Sequence, residues 1–343
     1  MFKINPINET MKKKYIEFLT SAKQLSQTTA ESKLKSIYKY DDYTKQSDYK
    51  TLNTDTARAF QKYLQKLTFR NQTISGQTVY QTLKDVQEFF VWLSEKPGYK
   101  SKISYEKIQH LNPSFSTIQM ANNRPPRAYP TNLTYIKKLI LSIKGTEEID
   151  LRDKAIIAML IMTGMRVEAL ATLPVGCVDM DRWLIDQNPD KGVKTKFSKR
   201  IYTVIIKIDS IFVEAVEEWF QFLKKKNVPS THPLFPKADH IHEQGTFIFI
   251  NNKLSDRCMR GSQISRILQE RCKQASEKYY SAHTLRHLHE RTVEKAAGRT
   301  EQIKALSQNM GHNNLYTTLD CYGYINDTDR INILNTLDFR GIS

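Results

Sequence analysis

The sequence predicts a mainly α protein with a small antiparallel β-sheet (α+β), divided into two domains. Three observations predict it. Apolar residues recur at helical spacing, behind side chains that cap helices, through most of the 343 residues. One region, from about 183 to 208, instead alternates β-branched and aromatic residues around a lysine-rich turn. Near the middle, a cluster of prolines breaks the helical pattern. A chain of this length accommodates two cores.

The first part, residues 1–111, reads as helices. Met11 to Ala22 places Tyr15, Phe18 and Leu19 at helical spacing behind Lys12, Lys13 and Lys14. Thr54 or Asp55 caps a helix with Ala57, Phe60, Leu64 and Leu67 inward. Ser75 caps a longer one with a stripe of Val79, Leu83, Val86, Phe90 and Leu93. Phe89, Phe90 and Trp92 are read as packing groups. Lys62, Lys66, Arg70 and Lys84 lie off the stripes, where they suit either a solvated face or phosphate contacts. From 112 to 130, Pro113, Pro125, Pro126 and Pro130 interrupt any helix, and Arg124 and Arg127 add charge. This reads as a basic linker, able to cross a duplex and let the two domains close around it as a clamp.

The second part, 131–343, opens with helices at Leu133 to Ser142 and Leu151 to Met162. The latter ends at Thr163-Gly164, where glycine suits a C-terminal cap. Arg166 stands between Met165 and Val167, at the start of a short helix running to Leu173. An arginine in such apolar company needs an anionic partner, either a protein carboxylate or a ligand phosphate. Trp183 to Asp186 and Ile201 to Ile208 read as strands joined by the turn Asp190 to Arg200, which carries Lys191, Lys194 and Lys196. Helices at Ser210 to Lys226 and Ser262 to Ser276 follow, with a short apolar run at Phe247 to Ile250 between them.

The charge balance narrows the partner. Lys and Arg total 52 against 36 Asp and Glu, a formal net charge of +16 with a pI near 9.5. The excess is spread along the chain, which fits a protein surrounding a polyanion, and nucleic acid is the expected one. Cys177, Cys258, Cys272 and Cys321 form no CxxC pair and fit a reducing cytoplasm. Met1 to Thr10 has no apolar signal core, and the longest apolar run, Ala155 to Met162, is too short to span a bilayer. No HExxH and no phosphate-binding P-loop occurs. His283 and His287 stand at helical spacing, but no third residue completes a zinc pattern, so no metal is expected.

The chemistry concentrates between His283 and Tyr322. The chain reads H-T-L-R at His283 to Arg286, M-G-H at Met310 to His312, and T-T-L-D-C-Y-G-Y at Thr317 to Tyr324. Arginine grips phosphate through a planar fork of donors. Histidine exchanges protons near neutrality. Tyrosine is a potential nucleophile. Together with T-G-M-R at Thr163 to Arg166 and the hairpin lysines, this ordered set resembles the tyrosine recombinase (phage integrase) family. That family shows a T-G-[LM]-R box, a hairpin lysine, H-x-x-R, G-H and a tyrosine behind T-T, in this order.

The resemblance implies a catalytic domain from about Thr131 to Asp338 behind a helical core-binding domain, the two forming a C-shaped clamp. It implies that Tyr322 attacks the scissile phosphate and becomes joined to the 3′ end. Arg166, Arg286 and His312 would hold that phosphate and His283 would give acid/base support. A hairpin lysine would protonate the departing 5′ oxygen. Lys196 matches the family's turn best, with Lys191 and Lys194 as alternatives, and Tyr324 is the alternative nucleophile. Arginines supply the positive charge, so no cofactor is implied. The implied partners are double-stranded DNA attachment sites, three further copies making a homotetramer on two duplexes, and accessory DNA-bending or directionality proteins. The implied setting is the bacterial cytoplasm at the nucleoid. A tail from about residue 325, with Ile331, Ile333, Leu334 and Leu337, would dock on a neighbouring protomer. The sequence departs from the family's pattern in having Ala169 where an acidic residue usually stands, with Glu168 one position earlier, and Tyr324 where a histidine is common. Two other readings share these residues: a type IB topoisomerase-like relaxing enzyme, and a DNA-binding protein without catalysis on the same fold.

Overall fold

The structure is a computed structural model and describes residues 4–69, 71–122, 130, 132–237 and 256–312. Tyr322, Tyr324, Cys321, the Thr317-Thr318 pair, the tail from 325 and the apolar run at 247–250 lie outside the described residues, as do residues 123–129 of the proline-rich stretch. The chain divides into two compact units, Met1–Pro126 and Arg127–Ser343. Among the described residues no helix is long and apolar enough to cross a membrane.

The first unit is helical, with one small hairpin. It comprises α1 (Pro6–Ser21), α2 (Gln27–Thr44), α3 (Thr54–Lys66), the strands β1 (Thr68–Phe69) and β2 (Gln72–Thr73), then α4 (Gly76–Ser94), α5 (Tyr105–Gln109) and α6 (Phe115–Asn122). Side-chain oxygens of Asn53 and Ser75 cap α3 and α4. Phe89, Phe90 and Trp92 are buried, Tyr15, Tyr40 and Tyr49 pack against them mostly edge to face, and Phe60 packs edge to face on Tyr40. These aromatics are therefore core. Lys12 is buried too, its ammonium paired with Asp41 at 2.5 Å and Glu9 at 2.7 Å. Helix α6 corrects the reading of 112–130 as unbroken linker. Pro113 precedes its first turn, where a missing N–H costs nothing, and Thr117 and Ala121 are buried beneath it. Gly76 of α4 lies so close to Met120 that a Cβ there would meet its backbone at 2.5 Å.

The second unit is organised around α8 (Glu148–Thr163), where every residue from Ala155 to Thr163 is buried. A helix apolar on all sides must be covered on all sides. The cover comes from α7 (Thr134–Ser142), α10 (Ser210–Lys225), α11 (Gly261–Gln274) and α12 (Ala282–Ala296). Short α9 (Val167–Ala171) follows α8 directly, and α13 (Thr300–Asn309) follows α12. A buried ionic cluster ties α8 to α11: Arg271 donates to Asp150 and Asp153, and Arg152 donates to Asp153 and the Pro236 carbonyl. Three antiparallel strands, β3 (Val178–Asp179), β4 (Leu184–Gln187) and β5 (Ile201–Val204), form the sheet in that order, with Leu184 opposite Val204 and Gln187 opposite Ile201. The sequence pattern had not indicated β3, whose two residues are too few to alternate.

The edge of β5 is tied to the end of α13. Asn309 accepts from the Val204 N–H at 2.6 Å and donates to the Val204 carbonyl at 3.2 Å, while Thr203 donates to the Asn309 carbonyl at 2.8 Å. The lysine-bearing hairpin and the M-G-H turn are thus joined through one strand.

Candidate active site

Three segments meet at the site: the turn after α8, the face of α12, and the turn after α13. The first is T-G-M-R. Thr163 donates to the Met159 carbonyl and accepts from the Met165 N–H at 3.2 Å, so the turn's polar groups are satisfied locally. Gly164 ends α8 with φ +58°, and a Cβ there would stand 2.5 Å from Cδ2 of His289. Gly164→Ala is therefore expected to lower stability by about 2–3 kcal/mol, combining left-handed strain with the clash. Thermal denaturation checks this.

Arg166 then begins α9. Its side chain is half-buried, and burial lowers its pKa from the ordinary value. It has no hydrogen-bond or ion-pair partner among the described residues. A cation out of water with no protein anion is poised for an anion supplied from elsewhere.

Arg286 comes from α12, whose N-terminus Ser281 caps. Only 5% exposed, it reaches both turns: it donates to the Gly164 carbonyl at 2.5 Å, to the Met310 carbonyl at 2.9 Å, and to Nε2 of His312 at 2.7 Å. The H-x-x-R arginine thus fastens the T-G-M-R turn to the M-G-H turn. The latter needs its glycine: Gly311 has φ +67°, and a Cβ would stand 2.3 Å from Cδ1 of Ile201 on β5. His312 is half-buried behind it, with Nδ1 3.6 Å from Glu290. Burial, then Arg286, and more weakly Arg166 and His287, push its pKa down to about 4 against the opposing pull of Glu290. Arg166 and Arg286 therefore stand close enough to act together on a neutral His312.

His283 is exposed on the same helix as Arg286, its Nε2 3.2 Å from Nε2 of His287. The lysines are spread over the hairpin. Lys191 acts electrostatically on Cys177 and Asp186, and Lys194 on Cys258. Lys196 lies at the exposed tip, over the ring of Phe197 at 4.9 Å. Glu168 accepts from the Gly261 N–H at 3.1 Å and so caps α11, and Ala169 is buried in the core. Among the described residues no group of three or more His, Cys, Asp or Glu is arranged to hold a metal ion.

Sequence reasoning missed Glu290, whose buried carboxylate faces His287 and His312, and Asn309. A signal for the first was present: His283, His287, Glu290 and Glu294 recur every three or four residues on one face of α12. Titratable groups on a buried stripe call for an explanation.

These buried groups set a pH dependence. His289, whose Nδ1 meets the Ile161 carbonyl at 2.7 Å, is lowered by burial to about 4, as is His312. Glu294 is raised by burial, and by Glu290, to about 7. Between pH 6.5 and 4 the unfolded chain holds protons on both histidines that the folded chain refuses, so they remove stability as pH falls through that window. Glu294 acts oppositely: its contribution is full below about 4.5 and is lost as pH rises through about 7. Two histidines outweigh one carboxyl, so the thermal midpoint is expected to fall from pH 6.5 to 4. Glu294→Gln is expected to flatten the decline on the alkaline side. Melting curves at fixed ionic strength check both.

A model of the phage integrase family matches residues 135–328. Among solved structures, the chain is similar to a lambda integrase tetramer bound to a Holliday junction. There the identity is 13% and the TM-score 0.62, covering 93% of this chain and 79% of that one. It is similar to XerH site-specific recombinase bound to a palindromic difH substrate in a post-cleavage complex, at 15% identity and TM-score 0.62, covering 95% and 84%. It is also similar to the Tn1549 transposon integrase in complex with circular intermediate DNA, at 15% and 0.60, covering 94% and 98%. Among curated proteins none matches the sequence.

Proposed function

The chain belongs to the phage integrase family, and on that premise we propose that it cuts and rejoins duplex DNA at specific sites to integrate, excise or transpose a mobile element. The observation that carries this reading is Arg166, half-buried with no protein anion, beside Arg286 and His312. A phosphodiester is the anion that such a pocket suits. Two guanidinium groups offset the charge that builds on its non-bridging oxygens during attack. Tyr322 is the nucleophile: its phenolic oxygen bonds to phosphorus as the bond from phosphorus to the 5′ oxygen breaks. The phenolic proton passes to His283, and a hairpin lysine, Lys196 in our assignment, protonates the departing 5′ oxygen. The phosphotyrosine bond retains the energy of the broken linkage, so a 5′-hydroxyl can reverse the step without ATP.

The lambda integrase match is a tetramer on a Holliday junction. By analogy, four protomers act on two duplexes and exchange one pair of strands at a time. The net charge of +16 supplies the phosphate attraction that draws the protein to duplex DNA.

Covalent trapping tests the reading. The full chain is mixed with labelled, nicked duplexes from the DNA flanking its own gene, then denatured and separated on a gel. A protein–DNA adduct without metal or ATP is expected, absent in Tyr322→Phe and retained in Tyr324→Phe, with duplex binding unchanged in both. Tight binding with no adduct on any duplex would favour a DNA-binding protein without catalysis.

A further inference from the structure

Helix α12 presents His283, His287 and Glu290 at positions i, i+4 and i+7, on one face. Glu290 is 1% exposed. One of its carboxylate oxygens lies 3.7 Å from Nδ1 of His287 and the other 3.6 Å from Nδ1 of His312. His287 in turn meets His283 Nε2 to Nε2 at 3.2 Å, with the rings edge to face. One buried carboxylate therefore stands behind three imidazoles.

The proton positions follow from donor chemistry. A guanidinium can only donate. Arg286 meets His312 at Nε2, so that nitrogen accepts and the neutral ring carries its proton on Nδ1, the atom facing Glu290. The Glu290 carboxylate, at 3.7 Å and so beyond hydrogen-bond reach, repels a lone pair and attracts an N–H, which favours the proton on Nδ1 of His287. His287 then offers a lone pair at Nε2, and the contact at 3.2 Å requires His283 to donate from its own Nε2. Arg286 sets the His312 tautomer by its hydrogen bond, and Glu290, 3.6 Å from the opposite nitrogen, favours the same tautomer by charge alone.

We propose that Glu290 is a positioning residue that sets the tautomers of the site's histidines: Nδ1–H on His287 and His312 and, through His287, Nε2–H on His283. Its functional consequence rests on the recombinase reading above; the tautomer assignment does not. When His283 takes the nucleophile's proton, its new charge faces the Glu290 carboxylate through His287. Among the described residues the charged and titratable groups around Glu290 include His287 and Arg286 on its own helix, Arg166 from α9, and His312 from the turn after α13. Glu294 stands one turn further along α12 with Arg291 beside it.

The test uses the full chain labelled with ¹⁵N-histidine, without DNA, in long-range proton–nitrogen correlation spectra at pH 7. Single His→Gln variants assign the eight histidines. The spectra are expected to show Nδ1–H patterns for His287 and His312 and Nε2–H for His283. In Glu290→Gln the His287 pattern is expected to change, and adduct formation to slow about 10–100-fold. Loss of the carboxylate also makes the His312 imidazolium harder to form, because Glu290 is the group that opposes the lowering of its pKa. The limb of the rate profile where His312 loses its proton should therefore move to lower pH, whereas a purely structural role would lower the rate alike at every pH. A neutral Nε2–H pattern on His287 or His312 in the parent protein would overturn the proposal, and would do so even if Glu290→Gln failed to fold. So would unchanged tautomers and an unmoved limb in a folded Glu290→Gln. Absence of an adduct from the parent protein would count against the recombinase reading alone.

Discussion

Arg166→Gln is expected to lower the single-turnover rate of adduct formation by about 10²–10³-fold while leaving the thermal midpoint unchanged or slightly raised. The two halves have one cause. Arg166 is half-buried, and among the described residues it has neither a hydrogen bond nor an ion pair. The folded protein therefore bears the cost of partly desolvating a guanidinium with nothing among the described residues to offset it. Glutamine keeps much of the length and removes that cost, together with the charge that the transition state needs. A gain in stability coupled to loss of chemistry marks a residue placed for a ligand. A fall in the midpoint by several degrees would mean that Arg166 serves the fold instead. Arg166→Lys separates charge from geometry. It is expected to recover only part of the rate, because an ammonium cannot present two parallel donors to a phosphate.

The second large effect has the opposite coupling. Arg286→Lys is expected to remove adduct formation to a comparable extent and also to destabilise the protein by about 2–4 kcal/mol. Arg286 spans two carbonyls, those of Gly164 and Met310, and the ring of His312, from a buried position. One ammonium cannot reach all three in those directions, so a buried acceptor loses its partner. The M-G-H turn then loses its tie to the T-G-M-R turn, and His312 its fixed orientation. Denaturant titration of the variant, compared with Arg166→Gln, distinguishes the two roles. Equal destabilisation by the two changes would contradict the geometry.

Helix boundaries were largely legible where caps and stripes coincide. Asn53 and Ser75 begin α3 and α4, and Gly164 ends α8, where the residue types alone placed those limits to within a residue or two. Helix α6 was not legible. Prolines on either side suggested a break, and the reason for a helix there is tertiary: the close approach of Met120 to Gly76 of α4. Arg166, Arg286 and His312 were legible as an ordered set, yet nothing in the motif indicates that Arg286 is spent partly on carbonyls. Glu290 escaped because a carboxylate inside a helix ordinarily faces water, whereas tertiary packing buries this one. Tyr322 lies outside the described residues, so its assignment as nucleophile stands on the sequence motif and the trapping experiment.

The side chain of Asn309 does on β5 what a fourth strand would do. It occupies both the N–H and the carbonyl of Val204 on the sheet's outer strand, beside outward-facing Tyr202 and Val204 that are more than half-exposed and about half-exposed. An open strand edge with apolar neighbours is a template on which other chains can assemble. One amide, at the end of the helix that leads to His312, therefore also serves solubility. Two copies of the chain that meet edge to edge therefore find no bare N–H and carbonyl at Val204 on which to pair.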